Sequence, residues 1–193
     1  MSRSDSVVRL TYTEYLAREA QGEVRHEFLK GEVFEMTGGT PEHGAIAVAI
    51  GAELRAALRG RPCRVFSSDV RVRIRATGLT TYPDISVVCG ALETDAEDKD
   101  AITNPVLLVE VLSPSTEAYD RGAKAAHYRQ LPSLRELMLV SLSEPRIELQ
   151  RRNEGGIWEL HDARPGSRLR LASVDVDLDV SAVFENPLPS AAP

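Results

Sequence analysis

The chain has few cysteines, no long apolar run and no excess of positive charge. Each of these features argues against particular classes of protein. The two cysteines, Cys63 and Cys89, lie far from each other and from any Cys/His spacing typical of a metal site. We therefore expect free, reduced and partly buried thiols. No apolar stretch approaches the length of a membrane-spanning helix, and residues 1–5 lack the apolar core of a signal peptide. These absences predict a cytoplasmic protein that does not associate with a membrane.

The formal net charge of -6 argues against a protein that coats nucleic acid through its overall field, because such binding needs an excess of lysine and arginine. A local basic cleft or an acidic metal site remains compatible with this charge. The 193 residues, 42% of them hydrophobic, are enough for one well-buried domain over 1–193. We expect its core over about 40–142 and a disordered tail over about 187–193.

Three common catalytic motifs are also missing. The chain has no Gly-x-Ser-x-Gly elbow and no Gly-x-x-x-x-Gly-Lys loop. His26-Glu27 is not followed by the second histidine that a zinc-binding helix needs four residues on. The sequence therefore carries no motif of a serine hydrolase, a P-loop protein or a zinc protease.

The pattern of apolar, capping and turn residues predicts a mixed α/β (α+β) fold. Thr11 to Glu14 forms a capping box, and Thr40-Pro41 caps a long helix that closes at Gly60. The acidic stretch 93–100 lacks a hydrophobic anchor, which predicts a mobile loop. The predicted elements are helices over about 11–20, 40–60 and 117–131, the last capped by Ser115 or Thr116, a hairpin over 25–36, and strands over 63–66, 69–75, 84–89, 106–112, 137–142 and 146–152.

Two predicted strands each carry one carboxylate. Glu110 interrupts the apolar run 106–112, where an ionised side chain is costly unless it is paired or bound to metal. Asp84 begins the other strand, and a residue after proline can also be a simple strand start. Mg²⁺ binds few protein carboxylates, so Asp84, Glu110 and the main-chain carbonyl of Val111 can form a magnesium site.

The helix after these strands carries a possible catalytic lysine. Asp120, Lys124 and Tyr128 share one face at four-residue spacing, although Asp120 and Lys124 can equally form an ordinary surface ion pair. A lysine beside a metal site can orient an attacking water or stabilise transition-state charge. The free N–H groups at the start of this helix favour an anionic phosphate. We assign substrate binding to the residues Ser113, Ser115, Arg121, Tyr128, Arg71 and Arg73.

Further polar residues have both a functional and an ordinary interpretation. Arg71, Arg73 and Arg75 alternate with apolar residues, so they form either a solvated strand face or a phosphate-binding stripe. His43, at the start of the long helix, is either a surface or capping histidine or an accessory site residue. Glu27 is a second accessory candidate.

Several ordered motifs together resemble one known family. Residues 109–116, followed by Asp120, Lys124 and Tyr128, are similar to the signature of a bacterial family of restriction endonuclease-like proteins within the PD-(D/E)XK nuclease superfamily. Pro83-Asp84 matches the PD element of that superfamily, residues 26–33 resemble the family's N-terminal hairpin, and 41–43 match the start of its first core helix. The likeness spans roughly 10–142.

The resemblance implies a restriction endonuclease-like core, in the order α-β-β-β-α-β, with a mixed central sheet flanked by helices. The capping, turn and apolar patterns add an N-terminal helix and hairpin and C-terminal β additions to this core. By this resemblance Asp84 and Glu110 are metal ligands. Leu112 stands where the superfamily has lysine, and Lys124 takes that role by match of motif.

The sequence hypothesis is a metal-dependent endonuclease that hydrolyses DNA phosphodiester bonds with Mg²⁺, for which Mn²⁺ can substitute. Asp84 and Glu110 hold the metal, and Lys124 assists the attacking water. A homodimer is consistent with one site per chain. Two alternatives stay open, namely a nucleic-acid-binding or partner-binding module on a nuclease fold, and a structural protein in which Glu110 pairs with Lys124.

Overall fold

The computed structural model describes residues 9–22, 24–36 and 38–185, so the predicted disordered tail lies outside the described residues. The helices are α1 (Tyr12–Glu19), α2 (Pro41–Ala57), α3 (Glu117–Tyr119), α4 (Ala125–Tyr128) and α5 (Val180–Phe184), with a π-helical turn over Asp120–Lys124 between α3 and α4. The strands are β1 (His26–Leu29), β2 (Glu32–Glu35), β3 (Cys63–Ser67), β4 (Arg71–Ile74), β5 (Leu79–Thr81), β6 (Ile85–Cys89), β7 (Ala101–Ile102), β8 (Leu107–Leu112), β9 (Glu136–Ser141), β10 (Arg146–Arg152), β11 (Trp158–Ala163), β12 (Arg168–Leu171) and β13 (Val176–Asp179).

A six-stranded mixed sheet forms the centre of the fold, in the order β11-β10-β9-β8-β6-β3. Strands β3, β6 and β8 pair antiparallel, and β8 pairs parallel with β9. The parallel pair needs a crossover, which the helical segment from α3 to α4 supplies. With α2 before β3, the elements of this sheet follow the order α-β-β-β-α-β, and the predicted restriction endonuclease-like fold is confirmed.

A second sheet of five strands, β2-β1-β5-β4-β7, contains the N-terminal hairpin. The sequence placed residues 63–75 among the core strands, but β4 belongs to this second sheet rather than to the central one. Strand β5 was missed because Thr77-Gly78 reads as a turn leading directly into β6. The arginines of β4 therefore lie on a different sheet from Asp84 and Glu110.

The central sheet has an apolar core on each face. On one face, alternate residues of β6 and β8 pack with α2, α5 and the β12–β13 ribbon, including Val87, Val109 and Ile50. On the other face, the intervening residues pack with α4 and the second sheet, including Leu108, Leu112 and Tyr128. Glu110 belongs by alternation to this second face, between Leu108 and Leu112. Its carboxylate is thus directed into an apolar layer.

The predicted side-chain caps are present at two helix starts and absent at the third. Thr11 and Glu14 form the predicted capping box, and the Thr40 hydroxyl accepts a hydrogen bond from the backbone N–H of His43. Thr116 stands at the N-cap of α3 without a side-chain capping bond. Its hydroxyl instead contacts the Ser113 hydroxyl at 2.9 Å. The predicted continuous helix over 117–131 is replaced by two short α-helices and a π-helical turn.

The expectation of free thiols is wrong for this structure. Cys63 and Cys89 lie directly opposite each other in the β3–β6 ladder and form a disulfide. The 26-residue separation hid this proximity, since only the strand register brings the two residues together. The bridge ties edge strand β3 to β6, the strand that follows Asp84.

The prediction of a mobile acidic loop over 93–100 is also wrong. Asp95 and Asp98 are buried and pair with Arg75, the residue after β4, and with Arg71 of β4. Burial by itself raises the pKa of Asp98, but hydrogen bonds and charge from Arg71 hold it below its ordinary value. Ion pairs rather than apolar side chains anchor this loop. Composition alone does not reveal which charged residues will pair.

Replacing Arg71 with methionine should lower the free energy of unfolding by about 2–3 kcal/mol, because the carboxylate of Asp98 has a side chain only 3% exposed and loses its cation. The Tyr12 hydroxyl and the Asp100 backbone N–H still donate to Asp98, which limits the loss. Urea unfolding measures the effect. Arg9→Met is the control, since the Arg9 side chain is 68% exposed and its ion pair should contribute less than about 1 kcal/mol. Equal losses in both variants would contradict the prediction.

Candidate active site

The strand register brings the two predicted carboxylates to neighbouring positions. Ile85 pairs with Val109 in the antiparallel β6–β8 ladder, and one further step along that register places Asp84 opposite Glu110. Directly opposed residues have side chains on the same face, with Cβ atoms about 5 Å apart. The backbone N–H of Val111 donates to Asp84 Oδ2 at 2.7 Å, which fixes this carboxylate at the end of β6.

Lys124 reaches the same face from the π-helical turn. Its Nζ lies 3.0 Å from Glu110 Oε1, 3.2 Å from Glu27 Oε1 and 3.3 Å from Asp120 Oδ1. The side chain is 6% exposed, so its amine points into the protein rather than to solvent. Tyr128, from α4, donates a hydrogen bond to Glu110 Oε1. We call Glu27, Asp84, Glu110, Asp120 and Lys124 the acidic cluster.

The second sheet and α3 supply the contacts that hold Glu27. The Thr81 hydroxyl of β5 donates to Glu27 Oε1, and the Tyr119 hydroxyl donates to Glu27 Oε2 at 3.1 Å. Tyr119 and Thr81 were not recognised from the sequence. The only signal for Glu27 was its place in the hairpin motif, and nothing in the sequence paired that hairpin with β5 or the π-helical turn.

The charges of the acidic cluster are out of balance, with four carboxylates and one lysine. Burial raises the pKa of Glu110 to about 8, and Lys124 only partly offsets this while Asp84 and Asp120 add to it. Burial alone lowers the pKa of Lys124, but Glu110 and its neighbours hold it well above the ordinary value. An additional positive charge beside Glu110 would therefore stabilise the carboxylates in their ionised form.

His43, at the start of α2, reaches Asp84 from the other side. Its Nε2 lies 3.4 Å from Asp84 Oδ2. The neighbouring Asp84 carboxylate raises the pKa of His43, burial opposes this, and the nearby backbone of Val111 raises it further. The accessory histidine thus contacts two of the three predicted metal ligands.

The donor set of Asp84, Glu110 and Val111 fits a hard divalent cation. In the described part of the chain, Asp84 Oδ1 and Glu110 Oε2 accept no hydrogen bond, so each carboxylate has an oxygen available. Carboxylate and carbonyl oxygens are the ligands of Mg²⁺, which keeps several waters. Among residues 9–22, 24–36 and 38–185, no three His, Cys, Asp or Glu side chains are arranged to hold a metal. A cation bound here would therefore be held by two carboxylates and a main-chain carbonyl.

The predicted substrate-binding residues fall in three places. Tyr128 contacts Glu110, and Ser113 lies in the loop after β8, hydrogen-bonded to Ser115 at 3.0 Å. Arg121 pairs with Glu117 and Glu148. Arg71 and Arg73 are on the second sheet, where Arg71 binds Asp98 and Arg73 donates to the Gly78 carbonyl at 2.8 Å. The three arginines thus already have protein partners.

The central sheet and the crossover helix define a mixed α+β protein with a restriction endonuclease-like core. Comparison with family models gives a more specific result: the chain belongs to the Uma2 family, described as "Putative restriction endonuclease", whose model matches residues 12–181. The coarse function that this membership supports is that of a nuclease-like protein. No helix in the described residues combines the length and apolar character needed to cross a membrane.

Two Synechocystis proteins and one solved structure are similar to this chain. The chain is 36% identical over 176 residues to "Uncharacterized protein slr1290" of Synechocystis sp. (strain ATCC 27184 / PCC 6803 / Kazusa), covering 91% of this chain and 92% of that protein. It is 32% identical over 139 residues to "Uncharacterized protein sll1609" of the same organism, covering 72% and 78%. A crystal structure described as "a putative nuclease belonging to DUF820 from Anabaena variabilis ATCC 29413" has a similar fold, with a TM-score of 0.74 and 19% identity, covering 91% of this chain and 97% of that one.

Proposed function

We propose that this protein is a metal-dependent endonuclease that hydrolyses DNA phosphodiester bonds. The observation that carries the proposal is the meeting of Lys124 with Glu110, 3.0 Å apart, beside the neighbouring strand end that holds Asp84. Family membership supports the nuclease class, and the oxygen ligands support Mg²⁺, with Mn²⁺ as a substitute.

Each residue of the acidic cluster has a role in this proposal. Bound Mg²⁺ would lower the pKa of an attacking water and screen charge on the phosphoryl oxygens. Asp84, Glu110 and the Val111 carbonyl provide its oxygen ligands. Lys124, held on its other sides by Glu27 and Asp120, orients the water or stabilises the charge of the transition state. Tyr128 fixes the Glu110 carboxylate, and Glu27 positions the lysine.

We further propose that the protein is cytoplasmic and acts as a homodimer. Two chains are needed to cut both strands of a duplex when each chain carries one site. The acidic balance of the whole chain favours a small, local contact with DNA over a broad basic surface.

Cleavage of supercoiled plasmid tests the function directly. We expect purified protein to nick the plasmid with Mg²⁺ or Mn²⁺ and to be inactive with a chelator. Absence of cleavage with either metal, across plasmid, linear duplex and single-stranded substrates, would contradict the proposal.

A binding module without catalysis is the second candidate, and one observation favours it: Glu110 is already neutralised in part by Lys124. Calorimetric titration with Mn²⁺ separates the two candidates. A nuclease should bind the ion and lose binding on Asp84→Asn, whereas a binding module has no need of a metal site at Glu110.

A further inference from the structure

One open cleft lies outside the acidic cluster, between the end of α4 and the edge strand β11. It has a volume of about 320 Å³ and is lined by Arg129, Gln150, Trp158, Glu159 and Leu160. Leu160 is 65% exposed on this edge strand. Arg129 donates from its guanidinium to Gln150 Oε1 at 2.7 Å. The cleft thus combines an aromatic ring, an apolar side chain and a fixed cation.

The cation of this cleft is available to a ligand, unlike the arginines that the sequence suggested. Arg129 forms no ion pair in the described part of the chain, and its neighbour Gln150 is neutral. Arg152 pairs with Trp158 across the β10–β11 ladder, so its side chain shares the face of the tryptophan. By contrast, Arg71 and Arg121 are each bound to carboxylates.

The cleft lies on the same face of the central sheet as Glu110. Gln150 is in register with Leu137 of β9 and Leu108 of β8, and Leu108 is two residues before Glu110. Strand spacings of about 4.8 Å and a rise of about 3.3 Å per residue place Gln150 roughly 12 Å from Glu110. In a stacked duplex strand, which rises about 3.4 Å per nucleotide, this distance corresponds to three to four nucleotides, and an extended single strand spans it with fewer.

The end of α4 connects the cleft to the acidic cluster. Tyr128 donates to Glu110, and the next residue, Arg129, donates to Gln150. A strand contacting the guanidinium of Arg129 would therefore lie close to the helix end that also contacts Glu110.

We propose that this cleft, lined by Arg129, Gln150 and Trp158, binds an unstacked base and an adjacent phosphate of the DNA strand; the assignment of DNA rests on the proposed function. Trp158 provides a stacking surface that accepts any base, and Arg129 provides a planar guanidinium for phosphate. The Gln150 amide can hydrogen-bond a base edge. Glu159 also lines the cleft, but its carboxylate accepts a hydrogen bond from Asn153 at 2.7 Å. By alternation it faces away from Trp158.

The fluorescence of Trp158 gives a direct readout, because this is the only tryptophan in the chain. Wild-type protein is titrated with a single-stranded DNA oligonucleotide in metal-free buffer, so that no cleavage occurs. We expect saturable quenching, and weaker quenching by a duplex of the same sequence. Oligonucleotide binding seen by anisotropy without any change in tryptophan emission would overturn the proposal. A signal that depends on protein concentration alone would also overturn it and assign the cleft to a second copy of the chain.

Variants test the two contacts separately, using the anisotropy of a labelled oligonucleotide. Trp158→Ala should weaken the affinity about 5- to 100-fold, whereas Trp158→Phe retains most of it because the ring is kept. Arg129→Ala should reduce the slope of log affinity against log salt by about 0.7, the value for one phosphate of a single strand. Arg168→Ala is the matched control, since Arg168 is exposed on β12 and forms no ion pair in the described residues. Unchanged affinity and slope in both Trp158→Ala and Arg129→Ala would reject the proposal.

Failure of this inference and failure of the proposed function give different results. Quenching without cleavage by the wild-type protein would keep the strand-binding cleft and remove the nuclease. Cleavage that persists with unaltered affinity in Trp158→Ala and Arg129→Ala would keep the nuclease and remove the cleft.

Discussion

Replacing Glu110 with glutamine should lower the rate of Mg²⁺-dependent DNA cleavage by at least about 10³-fold. The change removes one proposed metal ligand while keeping the shape and the acceptor for the Tyr128 hydroxyl. A metal that stabilises transition-state charge contributes several kcal/mol, and each 1.36 kcal/mol corresponds to a factor of about ten in rate. Plasmid nicking under single-turnover conditions measures the loss.

Asp84→Asn should give a loss of similar size, because Asp84 is the second carboxylate of the set. A matched control is Glu136→Gln on β9, since Glu136 is a fully buried strand glutamate that accepts from Ser173 and Arg151. This variant carries the same glutamate-to-glutamine substitution outside the acidic cluster. It should keep its specific activity, even if its stability falls. Wild-type rates in both Glu110→Gln and Asp84→Asn, with folding confirmed by circular dichroism, would reject the assigned metal ligands.

The physical cost of Glu110 made it recognisable from sequence. A carboxylate within an apolar strand predicts a partner or a metal, and the structure supplies the partner in Lys124. Helical spacing also placed Asp120, Lys124 and Tyr128 on one face, and all three contribute to the surroundings of Glu110. This face survives the π-helical turn, since Lys124 and Tyr128 both contact Glu110.

Contacts between distant segments could not be predicted in the same way. Glu27 meets Lys124 across 97 positions of the chain, and the Cys63–Cys89 disulfide depends on the register of two strands. Arg71 and Arg73 alternate with apolar residues, as in a solvated or phosphate-binding face. In the structure Arg71 binds Asp98, and Arg73 binds the Gly78 carbonyl and the Thr80 hydroxyl. A strand pattern specifies which side chains share a face, but not which segment will cover that face.

The same limit explains the position of the cleft. Trp158 and Arg129 lie in segments without a recognisable motif, and only the sheet order brings β11 beside the end of α4. After folding, Arg129 has no carboxylate partner among the described residues, whereas Arg71 and Arg121 each have one. The sequence prediction instead assigned substrate binding to Arg71, Arg73 and Arg121.

Lys124→Met should lower the free energy of unfolding by about 3–5 kcal/mol and abolish cleavage. It removes the single lysine from Glu27, Glu110 and Asp120, which leaves three buried carboxylates without a cation. Urea unfolding in metal-free buffer measures the loss of stability. Lys99→Met is the matched control, because Lys99 is exposed and the change should stay within about 0.5 kcal/mol.

A second substitution and a metal titration then separate a metal site from a purely structural ion pair. Adding Glu110→Gln to Lys124→Met should restore part of the stability, because one uncompensated charge is removed. Mn²⁺ should stabilise Lys124→Met, by about 2.7 kcal/mol at a concentration 100 times the dissociation constant, since the ion supplies the missing positive charge. It should have no such effect on the double variant, which lacks the Glu110 carboxylate. Stability restored by Glu110→Gln but unaffected by Mn²⁺ in either protein would identify Lys124 as a structural partner of Glu110 and reject the metal-dependent mechanism.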